Sequence, residues 1–278
     1  MVHRRKPLLI ALKALALAAF FALVVGPIAW VLLTSFKTKQ QIYVFPVQYL
    51  PRPFTWENYA EIFQISDFGR YFLNSLLVAV VGSAAAMVLA IMGGYAMARF
   101  KFKGRGALML GYLVTQMVPM FILLAPLYEM MGRLRLINKL PVLMILYMAM
   151  VIPYCTITLR GFFQRIPNAL EEAAMIDGCS RAKSLLLVIL PVMGTGVAST
   201  FLFAFVQCWN EIFLAIMFID SEHLKTIPVA INSFIMKFDI NWGALTAGMV
   251  VSILPTMLVF AYIQKYIASG LTAGAVKE

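Results

Sequence analysis

The chain of 278 residues is 62% hydrophobic and only 13% charged, with a net charge of +11 and three cysteines. That is far more apolar side chain than one soluble core can bury, which excludes an ordinary water-soluble domain and makes the bilayer the natural solvent. Long unbroken apolar runs also exclude a β-barrel, whose strands alternate over about 10 residues, and leave an all-α, polytopic membrane protein.

A transmembrane helix needs about 20 predominantly apolar residues. Six windows free of Asp, Glu, Lys and Arg reach that length: 14–36, 71–98, 106–128, 140–159, 184–210 and 243–264. Six transmembrane helices are therefore predicted. The start, MVHRRKPLLIALKALALAAFF, has the basic-then-apolar order of a signal peptide. Its apolar stretch runs on through Val31, Leu32 and Leu33 with no small-residue cleavage site, so it reads as a retained first helix.

Between the first two spans, residues 37–70 carry Pro46, Pro51 and Pro53 among aromatic and charged residues, which predicts an ordered outer loop with short helices, open to an external partner. The basic segment ARFKFKGRG, 98–106, reads as a topology anchor without chemistry of its own, Gly104 and Gly106 allowing a tight return. Prolines 27, 119, 126, 153, 191 and 255 fall within or at the ends of spans, where neighbouring helices satisfy the carbonyls they free. The closing SGLTAGAVKE is rich in small residues and reads as a frayed tail or a docking strap on the inner side. No internal repeat is visible, and one membrane domain covers residues 1–278.

Charge placement sets the orientation. With the N-terminus inside, the inner segments hold fourteen Lys and Arg, among them Arg4, Arg5, Arg99, Arg105, Arg160, Arg181 and Lys265, against Glu171, Glu172, Asp177 and Glu278. The outer segments hold nine cations, including Lys37, Lys39, Arg133 and Lys237, against seven acids. The positive-inside rule then predicts both termini in the cytoplasm. On this topology Cys155, Cys179 and Cys208 fall in spans or on the inner side, as free thiols.

No GxxxxGK[ST] loop is present, so the chain is not expected to bind or hydrolyse ATP. No nucleophile, base or paired carboxylates converge. His3 and His223 fall on opposite faces without ligand spacing, so neither a metal nor any other cofactor is expected.

One polar passage interrupts the apolar pattern: EEAAMIDGCSRAKSLLLVILPV, 171–192. Pro167 suits a first helical turn, Glu171 and Glu172 the positive end of the dipole, and Gly178 a left-handed helix stop. On the short helix so defined, Leu170, Ala173, Ala174 and Asp177 share one face, with small residues at its centre. Periodicity alone reads this as a surface helix lying against its own bundle.

The residues themselves point further. Glu172, Ala173, Ala174, Gly178, Val188, Leu190 and Pro191 match, at the right spacing, the EAA loop of permease subunits of binding-protein-dependent ABC importers; Val188 stands where the family usually has Ile, and Cys179 where Ala is common. The resemblance spans nearly the whole chain and narrows to carbohydrate-type importers, specifically the second membrane subunit of maltose-type systems. It is carried by LLTSFKT at 32–38, FLNSLLVAVV at 72–81, YAMARFKFKGR at 95–105, CWNEIFLA at 208–215, TIPVAI at 226–231 and GLTAGAVKE at 270–278, where the family commonly ends in Gly rather than Glu278.

The resemblance implies a type I importer permease fold with a cytoplasmic coupling loop at about 164–190, which includes Leu170, Glu171, Glu172, Ala173, Ala174, Asp177 and Gly178, with Leu190 and Pro191 at its end. It implies a second homologous permease, two cytoplasmic ATPase subunits carrying ATP and Mg, an extracytoplasmic solute-binding protein, and import of a di- or oligosaccharide across the inner membrane. Polyols and glycerol phosphates are carried by close relatives and stay open as substrates. Trp209, Asn210 and Glu211 offer an aromatic face and hydrogen-bonding groups, read as substrate contact, as gate or subunit interface, or as an interfacial anchor. The rival class is an ion-coupled carrier, but only Glu211 supplies an ionisable group near a span's interior.

Overall fold

The computed structural model describes residues 5–235 and 240–275; His3, Arg4, Lys237, Asp239, Lys277 and Glu278 lie outside the described residues. Helices dominate in chain order: α1 (Arg5–Thr34), α2 (Lys39–Tyr43), α3 (Glu57–Ile65), α4 (Phe68–Arg99), α5 (Arg105–Met117), α6 (Met120–Arg133), α7 (Leu140–Arg165) and α8 (Asn168–Ile176). Then follow α9 (Arg181–Ser184), a π-helical turn (Leu185–Ile189), α10 (Leu190–Val192), α11 (Gly194–Trp209), α12 (Phe213–Phe218), a 3-10 turn (Glu222–Leu224), α13 (Ile227–Ser233) and α14 (Trp242–Ala275). Among the described residues no strand forms; Ile235 and Ile240 make a single antiparallel bridge.

Four helical segments are long and apolar enough to cross a bilayer unbroken: Leu9–Thr34, Phe68–Arg99, Leu140–Arg165 and Trp242–Tyr266. The other two predicted spans are bent rather than straight. Residues 106–128 fall on α5 and α6, which meet at 103°. Val118, placed before Pro119, is driven out of the helical region to φ −75° and ψ 121°. Residues 184–210 fall on a pair bent by 83°, broken where Met193 takes φ −84° and ψ 10°, two residues after Pro191. Counting each bent pair once gives six spans. Pro27, Pro153 and Pro255, by contrast, sit inside helices that run on through them.

The chain divides into two compact units, one of residues 1–68 with Ala230–Ile253, the other of Gly69–Val229 with 254–278. In the first, the outer loop is ordered by its own side chains. Phe36 stacks on Phe54 at 4.4 Å and meets the edge of Trp56 at 5.0 Å. The buried Asn58 amide donates to the carbonyls of Ser35 (2.9 Å) and Lys37 (2.8 Å), and so ties α3 to the end of α1. Thr38 and Gln41 close a capping box on α2.

In the second unit α7 is the hub, with Val142, Leu143, Cys155, Leu159 and Phe163 fully or almost fully buried. Lipid tails are as apolar as these side chains, so close packing rather than exclusion of water must hold the helices together. The sequence supplies it on α4 with Ala79, Ser83, Ala86, Ala90 and Gly94. A Cβ at Gly94 would lie 3.1 Å from the Arg160 backbone nitrogen and 3.2 Å from Leu159 Cβ, so α4 and α7 approach closely enough here that a side chain would be crowded.

Candidate functional site

Arg165 ends α7, and the extended Ile166 and Pro167 turn the chain into α8. Pro167 occupies the position before the helix rather than its first turn, with φ −58° and ψ 137°. The far end closes as the sequence predicts. Gly178 takes φ +89°, its N–H donates to the Met175 carbonyl (3.1 Å) and the Cys179 N–H to that of Ala174 (3.0 Å). That is a Schellman stop, which needs a residue without a Cβ penalty at positive φ. Ser180 then starts α9, its hydroxyl accepting from the Lys183 N–H at 3.3 Å.

The two faces of α8 differ sharply. Leu170, Glu172, Ala173, Ile176 and Asp177 are exposed, Ile176 by 86%, whereas Glu171 and Ala174 are buried. Ala174 thus leaves the face it shares by periodicity with Leu170, Ala173 and Asp177, and Ile176 joins it.

Glu171, an acid only 4% exposed, turns inward. Its carboxylate accepts from the Tyr95 hydroxyl and from Arg99 Nε (3.0 Å), and Arg181 Nε lies at 3.9 Å. The Arg99 guanidinium also donates to Asn168 Oδ1 (2.5 Å) and to the Ile166 carbonyl (3.1 Å). Its planar fork therefore joins the end of α4 to the start of α8 and to the α7–α8 turn at once. With side chains 8% and 6% exposed, Arg99 and Glu171 form a buried ion pair. Tyr95 is itself wedged edge-on between Phe163 (5.5 Å) and Phe100 (6.0 Å). Read from sequence as part of a topology anchor, Arg99 also serves as a structural clamp. No local signal marks the pair, since Glu171 stands beside the exposed Glu172 and its cation lies 72 residues away.

Leu190 and Pro191 do not share the exposed face of α8. They form α10, just before the 83° bend, and Leu190 lines an apolar cavity with Val197, Phe201 and Val259.

Trp209, Asn210 and Glu211 lie together at the end of α11 but point to different tasks. Trp209 is 2% exposed, stacked on Phe205 (5.9 Å) and edge-on to Phe72 (5.7 Å), so it presents no open aromatic face and no interfacial anchor. Asn210 is exposed at the helix end. The Glu211 carboxylate accepts from the N–H groups of Leu214 (3.0 Å) and Ala215 (3.3 Å), and its carbonyl accepts from the Tyr147 hydroxyl (3.3 Å). Starting α12 is thus a sufficient structural reason for an acid here.

Bent and straight apolar helices long enough to cross a bilayer, with a short clamped amphipathic helix in a polar loop, are the features of a membrane permease. Residues 90–273 match the family described as binding-protein-dependent transport system inner membrane component, and the chain belongs to that family. It is 36% identical over 262 residues to the diacetylchitobiose uptake system permease protein DasC of Streptomyces coelicolor, covering 94% of this chain and 95% of DasC. It is 35% identical to the sulfoquinovosyl glycerol transport system permease protein SmoH of Agrobacterium fabrum, covering 94% and 92%. It is 34% identical to the trehalose/maltose transport system permease protein MalG of Thermococcus litoralis, covering 90% and 91%. Among solved structures, a chain of a bacterial ABC transporter importing the acidic polysaccharide alginate shares the fold, with TM-score 0.81 at 21% identity over 96% of this chain and 99% of that one.

Proposed function

We propose that the chain is the permease subunit of an ABC importer for a di- or oligosaccharide, driven by ATP hydrolysis in partner subunits through α8. Support for the sugar comes from relatives named for diacetylchitobiose, sulfoquinovosyl glycerol and trehalose/maltose. Its whole length acts as one transmembrane domain, paired with a second, homologous permease, two cytoplasmic ATPase subunits and an extracytoplasmic solute-binding protein. Both termini face the cytoplasm, which puts α8, Arg99 and the other inner cations on the ATPase side.

The carrying observation is the two-faced helix: an apolar exposed side around Leu170, Ala173 and Ile176, and a buried side clamped to α4 by Arg99 and Glu171. A partner that grips the exposed side moves α8. The Arg99 fork passes that displacement to α4, and the short Ile166–Pro167 turn passes it to α7. The chain has no GxxxxGK[ST] loop of its own, so ATP hydrolysis is assigned to the partner subunits. Glu172 and Asp177 add negative charge to the docking face for cations on the ATPase.

Reconstitution tests this reading. Proteoliposomes carrying the permease pair and ATPases are expected to accumulate sugar only with internal ATP and loaded external binding protein. Uptake that persists without ATP and follows an imposed proton or sodium gradient would replace the reading with an ion-coupled carrier.

A further inference from the structure

In the unit formed by residues 1–68 and Ala230–Ile253, a cavity of about 370 Å³ opens beside the end of α1. Its walls include Trp30, Val47, Trp242, Leu245 and Met249, with Thr34 and Lys37 among the polar residues. Lys37 is 2% exposed, and its ammonium sits 4.0 Å over the Trp30 ring. Among the described residues no carboxylate pairs with it; Glu61 is taken by Lys39 (3.4 Å) and Asn241 (2.9 Å). Thr34 Oγ1 is buried with no hydrogen-bond partner.

The other polar groups of the wall are already engaged. Gln41 donates to the Pro53 carbonyl and accepts from the Thr38 N–H, Tyr43 donates to the Ile240 carbonyl, and Thr246 to that of Trp242. Lys37 and Thr34, both almost wholly withdrawn from solvent, are thus the wall side chains left without a hydrogen-bond partner among the described residues. Removing an ammonium from water costs several kcal/mol, and one ring face returns about 0.5–2 kcal/mol of that. The remainder calls for an anion.

The walls and the position decide which anion. A small hydrated ion gains nothing from Trp, Leu and Met, so the ligand must be amphiphilic. α1 crosses as Leu9–Thr34, 26 residues with none of its apolar window buried. At 1.5 Å per residue it is about 39 Å long, more than the roughly 30 Å hydrocarbon core, so its last turns reach the headgroup level. Trp30 one turn from that end, Trp242 opening α14, and Tyr43 are the residue types that gather at this boundary.

We propose that this cavity holds the headgroup of an anionic phospholipid of the phosphatidylglycerol type, with the Lys37 ammonium and the Thr34 hydroxyl donating to its phosphate and Trp30, Trp242 and Met249 packing the glycerol and first methylenes. The site is independent of the transported solute.

The test uses the purified full-length chain with its co-purified subunits, exposed to equimolar phosphatidylglycerol and phosphatidylcholine and read by native mass spectrometry. The intact protein is expected to retain phosphatidylglycerol preferentially. Lys37→Met should lower that preference about tenfold, the loss of one hydrogen bond to a charged group, whereas Lys37→Arg keeps it and Thr34→Val weakens it. If Lys37→Met does not fold, Thr34→Val and Lys37→Arg carry the test. Equal retention of both lipids, or unchanged preference in Lys37→Met or Thr34→Val, overturns the proposal. Inorganic phosphate competing as well as the lipid overturns the lipid source. A zero-length carbodiimide crosslink from Lys37 to an acidic residue of another subunit, in lipid-saturated membranes, shows a protein counter-ion instead.

Discussion

Arg99 and Glu171, 72 residues apart in sequence, form an ion pair of 3.0 Å between the end of α4 and the first turn of α8, both side chains almost wholly withdrawn from solvent. Removing one partner strands a buried charge, a loss of about 3–5 kcal/mol. Glu171→Ala and Arg99→Ala are each expected to lower the thermal midpoint and cut uptake at least tenfold, with the double variant less damaged than the two losses added. Arg99→Lys restores charge but not the fork to Asn168 and Ile166, and should recover only part. Strict additivity in thermal stability would show that the two residues do not act as a pair.

Gly178 gives a graded series. A left-handed backbone costs an L-residue about 1–2 kcal/mol, most for a β-branched one. At φ +89° the order of uptake should be Gly, Asn, Ala, Val, with membrane insertion unchanged. An equally active Val variant would show that the Schellman stop is dispensable for coupling.

Much of this was legible in the sequence. The glycine stop of α8 follows from local chemistry, because the carbonyls it lets the chain satisfy lie within a few residues. The clamp was not. The partner of Glu171 lies on another helix, and among so many inner cations Arg99 carries no local mark that separates it from Lys101 or Arg105. The bend at Pro119 was hidden differently, since a charge-free window reads as continuous whatever its backbone does. Trp209 looked available because aromatic residues near span ends often are. Packing against Phe72, far along the chain, helps to cover its second side.

That packing makes Trp209 a structural residue. Trp209→Ala should destabilise by about 3–5 kcal/mol, the usual loss for a buried aromatic, and depress uptake of all sugars alike. A selective change in KM between short and long sugars, at unchanged stability, would restore a substrate role.

Acid probes another part of the same unit. The Glu222 carboxyl lies below the usual range because Lys225 and the Tyr71 hydroxyl donate to it. A carboxyl whose pKa is depressed on folding contributes stability above its unfolded pKa and loses it as pH falls through the folded value. The thermal midpoint should therefore decline below about pH 4.3, the ordinary Glu range, and Glu222→Gln should remove that part of the decline while starting lower at neutral pH. The exposure of the Glu222 side chain makes the effect small. A Gln variant with the parental acid profile would assign the decline to other groups.

The central claim, that the exposed face of α8 is gripped by the ATPase, is tested most directly at Ile176, which is 86% exposed and whose replacement should leave folding within about 0.5 kcal/mol. A photo-crosslinking phenylalanine analogue placed at 176 in the assembled complex is expected to join the permease to an ATPase subunit, with a yield that changes between nucleotide-free and ATP-bound states. The same probe at exposed Leu113 on α5 should not. Crosslinks from 176 to lipid or to the permease alone, or equal ATPase crosslinking from 113, would contradict the claim.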